Sequence, residues 1–445
     1  MRAHRPEPGD NALMVRAELP DVGLYGSMDR YGDLGIHAVI DLRRRFSRAE
    51  LERAMQATID AFPVLGRRYV PGFWRDRWRE VEGPLSEAVH TIDAPTDLEA
   101  DTAAWARRAI DSTRERPLRL VSLGRGEGSR LIFSITHLAV DGAGAAAVGH
   151  LLGAHLYEQA PAAPVDARRS VASALEGLRW VHAPILIRDL AKAALLPART
   201  YAAARRERHF PSSTSTEANW RHLTLSSEEV DDIKLRCRPR GASVNDALIA
   251  ALARVAARRS SRGSLAVMYT MDLRRYAGAA RLTAANTSSI LSVIVPRHSV
   301  SDLASTAGAV AQITARQHRG LAGPAFILPP LALAAGAPHA WARRVTRWLH
   351  PVVIDLPLSR GLIFTNVGRI DQGLSAFGDD IEKLRVIGPN VTGVRVPAVV
   401  AFGYRGEVHL QLFGAPGLAP EALDELEAEL CDALELPPRA DSSSR

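Results

Sequence analysis

The sequence predicts an α/β (α+β) protein with two sheet-containing lobes, and three observations carry that expectation. At 445 residues the chain exceeds what one hydrophobic core usually serves, so two domains of roughly 200 residues each are expected. Strand-like and helix-like apolar patterns alternate in both halves, as they do where helices cover sheets. Between the halves, from Tyr157 to about Ser215, the character changes: Pro161 and Pro164 precede a long Ala/Arg/Leu segment. The expected division is a first lobe at 1–160, a basic amphipathic linker at 161–217, a second lobe at 218–437 and a disordered tail at 438–445. No short-period repeat competes with it.

In the first half, Gly35 to Leu42 alternates as a strand. Ser47 with Glu50 three residues on forms a capping box for a helix whose apolar face carries Leu51, Met55, Ile59 and Phe62. Pro63 stops that helix, and Val64 to Tyr69 reads as a strand. Ala100 to Arg116 reads as a helix and Leu118 to Leu123 as a strand, with a hairpin turn at Arg125 to Gly128. The returning strand, Leu131 to Thr136, runs into His137, then into Asp141-Gly142 and an alanine-rich helix.

Arg168 to Arg208 is a basic, amphipathic stretch, readable either as an interdomain helix or as a surface for a membrane or an acyl chain. The second half repeats the rhythm of the first. His222 to Leu225 is a strand, Ser226 and Glu229 cap a helix, and Ser243 to Leu252 starts a buried one. Leu265 to Met271 and Ile290 to Pro296 are strands, as are Leu362 to Arg369, Ala398 to Gly403 and His409 to Phe413. Phe326 to Leu356 is a second apolar, arginine-flanked region, and Pro420 to Leu436 is an acidic helix.

Composition excludes several classes. The formal charge is +7, but 53 of the 56 basic residues are arginines, the lysines being Lys192, Lys234 and Lys383. With no RNP, zinc-finger or helix-turn-helix signature, that bias reads as GC-rich coding and not as a nucleic-acid surface. Two cysteines, Cys237 and Cys431, form no disulfide framework and fit a reducing compartment. No apolar run reaches the ~18–20 residues of a membrane span. A cytoplasmic protein, peripheral to a membrane at most, is expected. His150 and His155 lack the spacing and the glutamate of a zinc helix, and no G-x-S-x-G elbow, phosphate loop or dinucleotide fingerprint occurs. Neither a metal nor a cofactor is expected.

His137 remains as the candidate for chemistry. Imidazole titrates near neutrality and is the natural general base at a rigid strand end. Asp141 is placed either to pair with it or to tie the turn to an arginine, and Gly142 permits the tight turn at the helix start.

The spacing His137-x-x-x-Asp141-Gly142 on a strand, turn and helix resembles the signature of the thioester-dependent acyltransferase superfamily. That superfamily holds chloramphenicol acetyltransferase, condensation domains, wax ester/diacylglycerol acyltransferases, BAHD enzymes and polyketide-associated acyltransferases. Other stretches are similar to family elements in the same order: Phe46 to Tyr69, Ser243 to Leu252, Asp272 to Tyr276, Ala285 to Pro296 and Thr365 to Arg369. The resemblance implies two chloramphenicol-acetyltransferase-like lobes in a V, with the histidine at their junction. It implies that His137 deprotonates a hydroxyl or amine acceptor, which attacks an acyl-CoA or acyl/peptidyl carrier protein thioester. No cofactor beyond that substrate thioester is implied. Asp141 would brace the turn against Arg67, Arg274 or Arg275. Thr136, Asn286, Ser288, Ser289 and Asn366 are the candidate channel residues. Two departures stand out: Thr136 occupies the place of the first of two histidines common in condensation domains, and Gly66 that of an arginine. A free-standing acyltransferase of secondary metabolism or lipid biosynthesis is expected. The alternatives are a lipid-type enzyme at a membrane surface and a non-catalytic module that recruits a carrier protein.

Overall fold

A computed structural model describes residues 14–32, 34–203, 210–213, 219–261, 263–350, 362–388, 397–414 and 417–437. The expected tail at 438–445 and parts of both arginine-rich segments lie outside the described residues. The architecture is mixed α/β, with sheets of five, six and three strands.

The first half supplies β1 (Met14–Arg16), α1 (Leu19–Tyr31), β2 (Gly35–Leu42), α2 (Arg48–Ala61), β3 (Arg67–Val70) and β4 (Arg77–Glu80). It continues with β5 (Val89–Ile92), α3 (Leu98–Arg107), β6 (Leu118–Arg125), β7 (Gly128–Thr136) and α4 (Gly142–Leu156). β7 pairs antiparallel with β6 through the hairpin at Arg125 and Gly128, and antiparallel with β2 on its other side. Every residue of β7 is buried, and the strand that delivers His137 is paired along both edges. Ser47 and Glu50 close the expected capping box on α2.

Two local expectations change. Pro63–Gly66 is a single 3-10 turn, and the strand begins only at Arg67. The helix expected to run to Arg116 ends at Arg107. There the guanidinium of Arg119 takes the carbonyls of Arg108 and Ala109 at 2.8 and 3.0 Å, so those groups leave the helical ladder.

Between the halves lie α5 (Val171–Ala174) and α6 (Ala183–Ala203), so the basic segment is not one helix. The second half holds β8 (Asn219–Leu225), α7 (Ser227–Cys237), α8 (Val244–Arg258), β9 (Ser264–Asp272), β10 (Ser288–Pro296) and α9 (Leu303–Arg319). Then come α10 (Ala322–Ala335), α11 (His339–His350), β11 (Leu362–Arg369), β12 (Ile381–Ile387), β13 (Ala398–Tyr404), β14 (Glu407–Gly414) and α12 (Glu421–Ala433). The six-stranded sheet runs β10-β9-β11-β13-β14-β8, with β11 parallel to both neighbours. Ser226 with Glu229 and Ser243 with Asp246 form reciprocal N-terminal caps on α7 and α8.

One strand from the 218–437 stretch crosses over. β12 pairs antiparallel with β2, Leu384 opposite Ile40 and Val386 opposite Ala38, and so completes the five-stranded sheet β12-β2-β7-β6-β5. Ile370, Leu374, Phe377, Ile381, Leu384 and Phe402 accordingly pack in the core of the first half. The remaining second-half core, built on α8, α9 and α12, is separate. No helix among the described residues is long and apolar enough to cross a membrane.

Candidate active site

The turn from His137 to Asp141 is fixed by partners far away in sequence. The His137 N–H donates to the Leu34 carbonyl at 2.8 Å. Asn286 Nδ2 donates to the Leu138 carbonyl at 3.0 Å, and Arg169 Nη1 to the carbonyls of Ala139 and Ala284 at 2.6 and 2.5 Å. The Asp141 N–H reaches the Ala285 carbonyl at 3.1 Å. Arg169 is itself held by both oxygens of Asp21 at 2.8 Å, a pair nearly closed to solvent. Asp21 and Arg169 are absent from the motif-based reading. A first-turn aspartate and a linker arginine carry no sequence signal of their pairing, which only the tertiary fold creates.

Asp141 caps α4, its Oδ1 accepting from the Gly144 N–H at 2.8 Å. The same carboxylate takes a bidentate pair from Arg274 at 3.0 and 3.1 Å, the Thr287 N–H at 2.9 Å and the Ser288 hydroxyl at 2.8 Å. Burial alone would raise this carboxyl. The Arg274 guanidinium and the donated hydrogen bonds outweigh it and hold the group below its ordinary value. Asp272 shares Arg274 at 3.0 Å; burial and the Asp141 charge push its carboxyl up. A Cβ on Gly144 would come within 3.0 Å of the Ala285 carbonyl, so the first turn of α4 needs glycine to approach the second half this closely.

Of the three arginines proposed as braces, Arg274 alone meets Asp141 in these contacts. Arg67 begins β3 opposite Glu80, and Arg275 is exposed with its guanidinium 5.8 Å from the Tyr276 ring.

The imidazole of His137 lies on the wall of an apolar cavity of about 420 Å³ between the two large sheets. Its Nδ1 is buried without a hydrogen-bond partner among the described residues. One wall is the face of the five-stranded sheet, where Ile36, Ala38 and Ile40 alternate along β2 beside Phe133 and Val386. The helix opposite contributes Gly142, Ala145, Ala146 and Gly149, one side of α4 stripped to small residues. Thr270, Ile290, Thr365, Val367 and Val400 close the cavity from the second half. His150 lies farther along α4, roughly 12 Å from Gly142 at helical rise. Burial pushes its imidazole down to about 4, and its Nε2 is unpartnered among the described residues.

The five expected channel residues are not on this wall. Thr136 is buried, accepting from the Ser112 hydroxyl at 3.1 Å. Asn286 and Ser288 serve the turn as described, and Ser289 donates to the Gly323 carbonyl at 3.1 Å. Asn366 points to Asn245 at 2.8 Å, while its neighbours Thr365 and Val367 face the cavity. For Asn366 the cause is the two-residue period of a strand, which turns its two neighbours to the cavity and Asn366 away from it.

Comparison with known proteins supports the fold. No protein-family model matches the chain, and no curated protein sequence matches it. Solved structures do. The TRI3 trichothecene 15-O-acetyltransferase from Fusarium sporotrichioides superposes with a TM-score of 0.70 at 12% identity, over 96% of this chain and 97% of that one. The first condensation domain of the calcium-dependent antibiotic synthetase, solved with a substrate analogue, gives 0.66 at 15% identity over 94% and 95%. The starter condensation domain of rhizomide synthetase, solved with C8-CoA and Leu-SNAC, gives 0.66 at 14% identity over 97% and 96%. The chain therefore has the two-lobed fold of condensation domains and chloramphenicol-acetyltransferase-like enzymes, as the motif resemblance implied.

Proposed function

We propose that the protein is an acyltransferase that moves an acyl group from a CoA or carrier-protein thioester to a hydroxyl or amine, with His137 as general base. The observation that carries this reading is the position of His137: a turn pinned by both halves presents its ring to an apolar cavity at their junction. A rigid base beside a water-poor space suits proton abstraction from a weak acid. The imidazole takes the acceptor's proton as the oxygen or nitrogen attacks the thioester carbonyl carbon. The resulting oxyanion collapses with cleavage of the carbon–sulfur bond, and the imidazolium returns its proton to the departing thiolate. The positive end of α4 at Gly142 and the hydroxyls of Thr270 and Thr365 are the groups available to stabilise that oxyanion.

The near absence of polar lining favours an aliphatic or otherwise apolar acyl chain. The neighbour solved with an acyl-CoA and an aminoacyl thioester supports thioester substrates. A purely recruiting, non-catalytic role fits less well, since an open cavity at the histidine has no use in it. The test is product mass spectrometry with a panel of acyl-CoAs and acyl carriers, for the parent and for His137→Ala. Equal turnover by the two would end the proposal.

A further inference from the structure

The loop at Phe73 and the helices α6, α10 and α11 carry an outer surface that acyl transfer alone does not explain. Phe73 and Trp74 are 60% and 66% exposed. Their carbonyls accept the N–H groups of Ala340 and His339, each at 3.0 Å, which fastens this loop to the start of α11. On α11, Trp341, Val345 and Trp348 fall at helical spacing on one face and are 63%, 48% and 77% exposed. Leu333 on α10 is 83% exposed, two residues before Ala335, whose carbonyl accepts from Arg75 at 3.3 Å. α10 packs on α6, which adds exposed Ile187 and Leu195. Isolated exposed apolar residues are ordinary, but a run of them across four elements marks an interaction surface.

Arginine dominates its charge. From Gly320 to His350 the chain has no acidic residue, while α11 bears Arg343, Arg344 and Arg347 and the loop bears Arg75. The single acid of the loop, Asp76, is buried and occupied by Arg343, the Tyr69 hydroxyl and the Gly72 N–H. Tryptophans beside arginines match the interfacial layer of an anionic bilayer. A specific protein partner needs many directed hydrogen bonds, and α10, AGPAFILPPLALAA, has no side chain to make them.

Only one helix separates this surface from the cavity. Leu24 and Ser27 of α1 line the cavity, while Tyr25 and Gly26 meet α11. The Arg343 guanidinium is 5.9 Å from the Tyr25 ring, and a Cβ on Gly26 would come within 3.2 Å of the Arg343 backbone. We propose that the surface formed by Phe73, Trp74, Leu333, Trp341 and Trp348 with its arginines docks the protein on an anionic lipid bilayer, one helix away from the cavity that receives the acyl chain. The role of the cavity rests on the acyltransferase reading; the docking does not.

The experiment is co-sedimentation of the full chain with vesicles of phosphatidylcholine, with and without phosphatidylglycerol. Binding is expected to the mixed vesicles, weaker to the neutral ones and weaker in high salt. The triple variant Trp74→Ser, Trp341→Ser, Trp348→Ser should lose binding by about tenfold or more, with an unchanged circular dichroism spectrum. If the triple variant is unstable, Trp348→Ser alone and Arg344→Gln alone should each weaken binding. His137→Ala should bind as the parent does, so a failure of the catalytic reading leaves this result intact. Absence of binding to mixed vesicles, binding indifferent to these substitutions, or protection of the tryptophans by an acidic carrier protein and not by vesicles would each overturn the proposal.

Discussion

Asp141 and His137 stand four residues apart on one turn, in opposite surroundings. Asp141 accepts five hydrogen bonds, two of them from Arg274 and two more from the segment at Thr287 and Ser288. His137 has an enclosed Nδ1 without a partner among the described residues and faces alkyl groups. One end of the turn is saturated, so it holds position and is chemically silent. The other is left unspent beside a space that a substrate can fill. The motif thus has one side chain saturated with partners, most of them from the second half, and one left open to the cavity.

That division can be broken from either end. His137→Ala should cut acyl transfer by about 10²–10⁴-fold while the melting temperature stays near the parent's; a comparable loss of stability would show that the two ends are not separate. Asp141→Ala should do the reverse first. It leaves Arg274 buried without its main partner and should cost about 3–5 kcal/mol of unfolding free energy, measured by urea titration, with activity falling as a consequence of the displaced turn.

Three buried histidines make their own prediction about pH. Burial pushes His37, His150 and His409 each down to about 4, below the ordinary 6.5. Between those values the unfolded chain binds protons that the folded chain refuses. Stability should therefore fall as pH is lowered from 6.5 towards 4 and level off below, by roughly 1–3 kcal/mol per histidine. His37→Asn should flatten that slope in thermal melts taken across the window. The smallest change is at Gly149, a residue of the cavity wall where a Cβ would meet nothing within 4 Å. Gly149→Leu should raise stability by up to about 1 kcal/mol and reduce turnover of long acyl chains by roughly tenfold relative to short ones.

Much of the frame was legible in the residues themselves. Alternation marked β2, and the capping boxes at Ser47 and Ser226 located two helix starts. The histidine motif found the turn, because strand, turn and helix are local in sequence. What escaped was set by distance. Nothing in the sequence ranks Arg274 above Arg67 or Arg275, since the choice depends on which loop of the second half reaches Asp141. The facing of Thr365 and Val367, and not Asn366, depends on strand register. The Asp21–Arg169 pair joins a first-half helix to the linker across 148 positions, and no short window contains both.

The crossing of β12 has a consequence for how the molecule is made. As the chain leaves the ribosome, β2 and its partner β7 are complete once Thr136 is made, but the other edge of β2 has no partner until Ile387 has been added. At roughly 5–20 residues per second, synthesis of the intervening second half exposes that hydrophobic strand edge for tens of seconds, long enough to recruit another chain. The first lobe expressed alone would keep the vacancy permanently, and a peptide spanning Ile381–Ile387 is the natural agent to fill it.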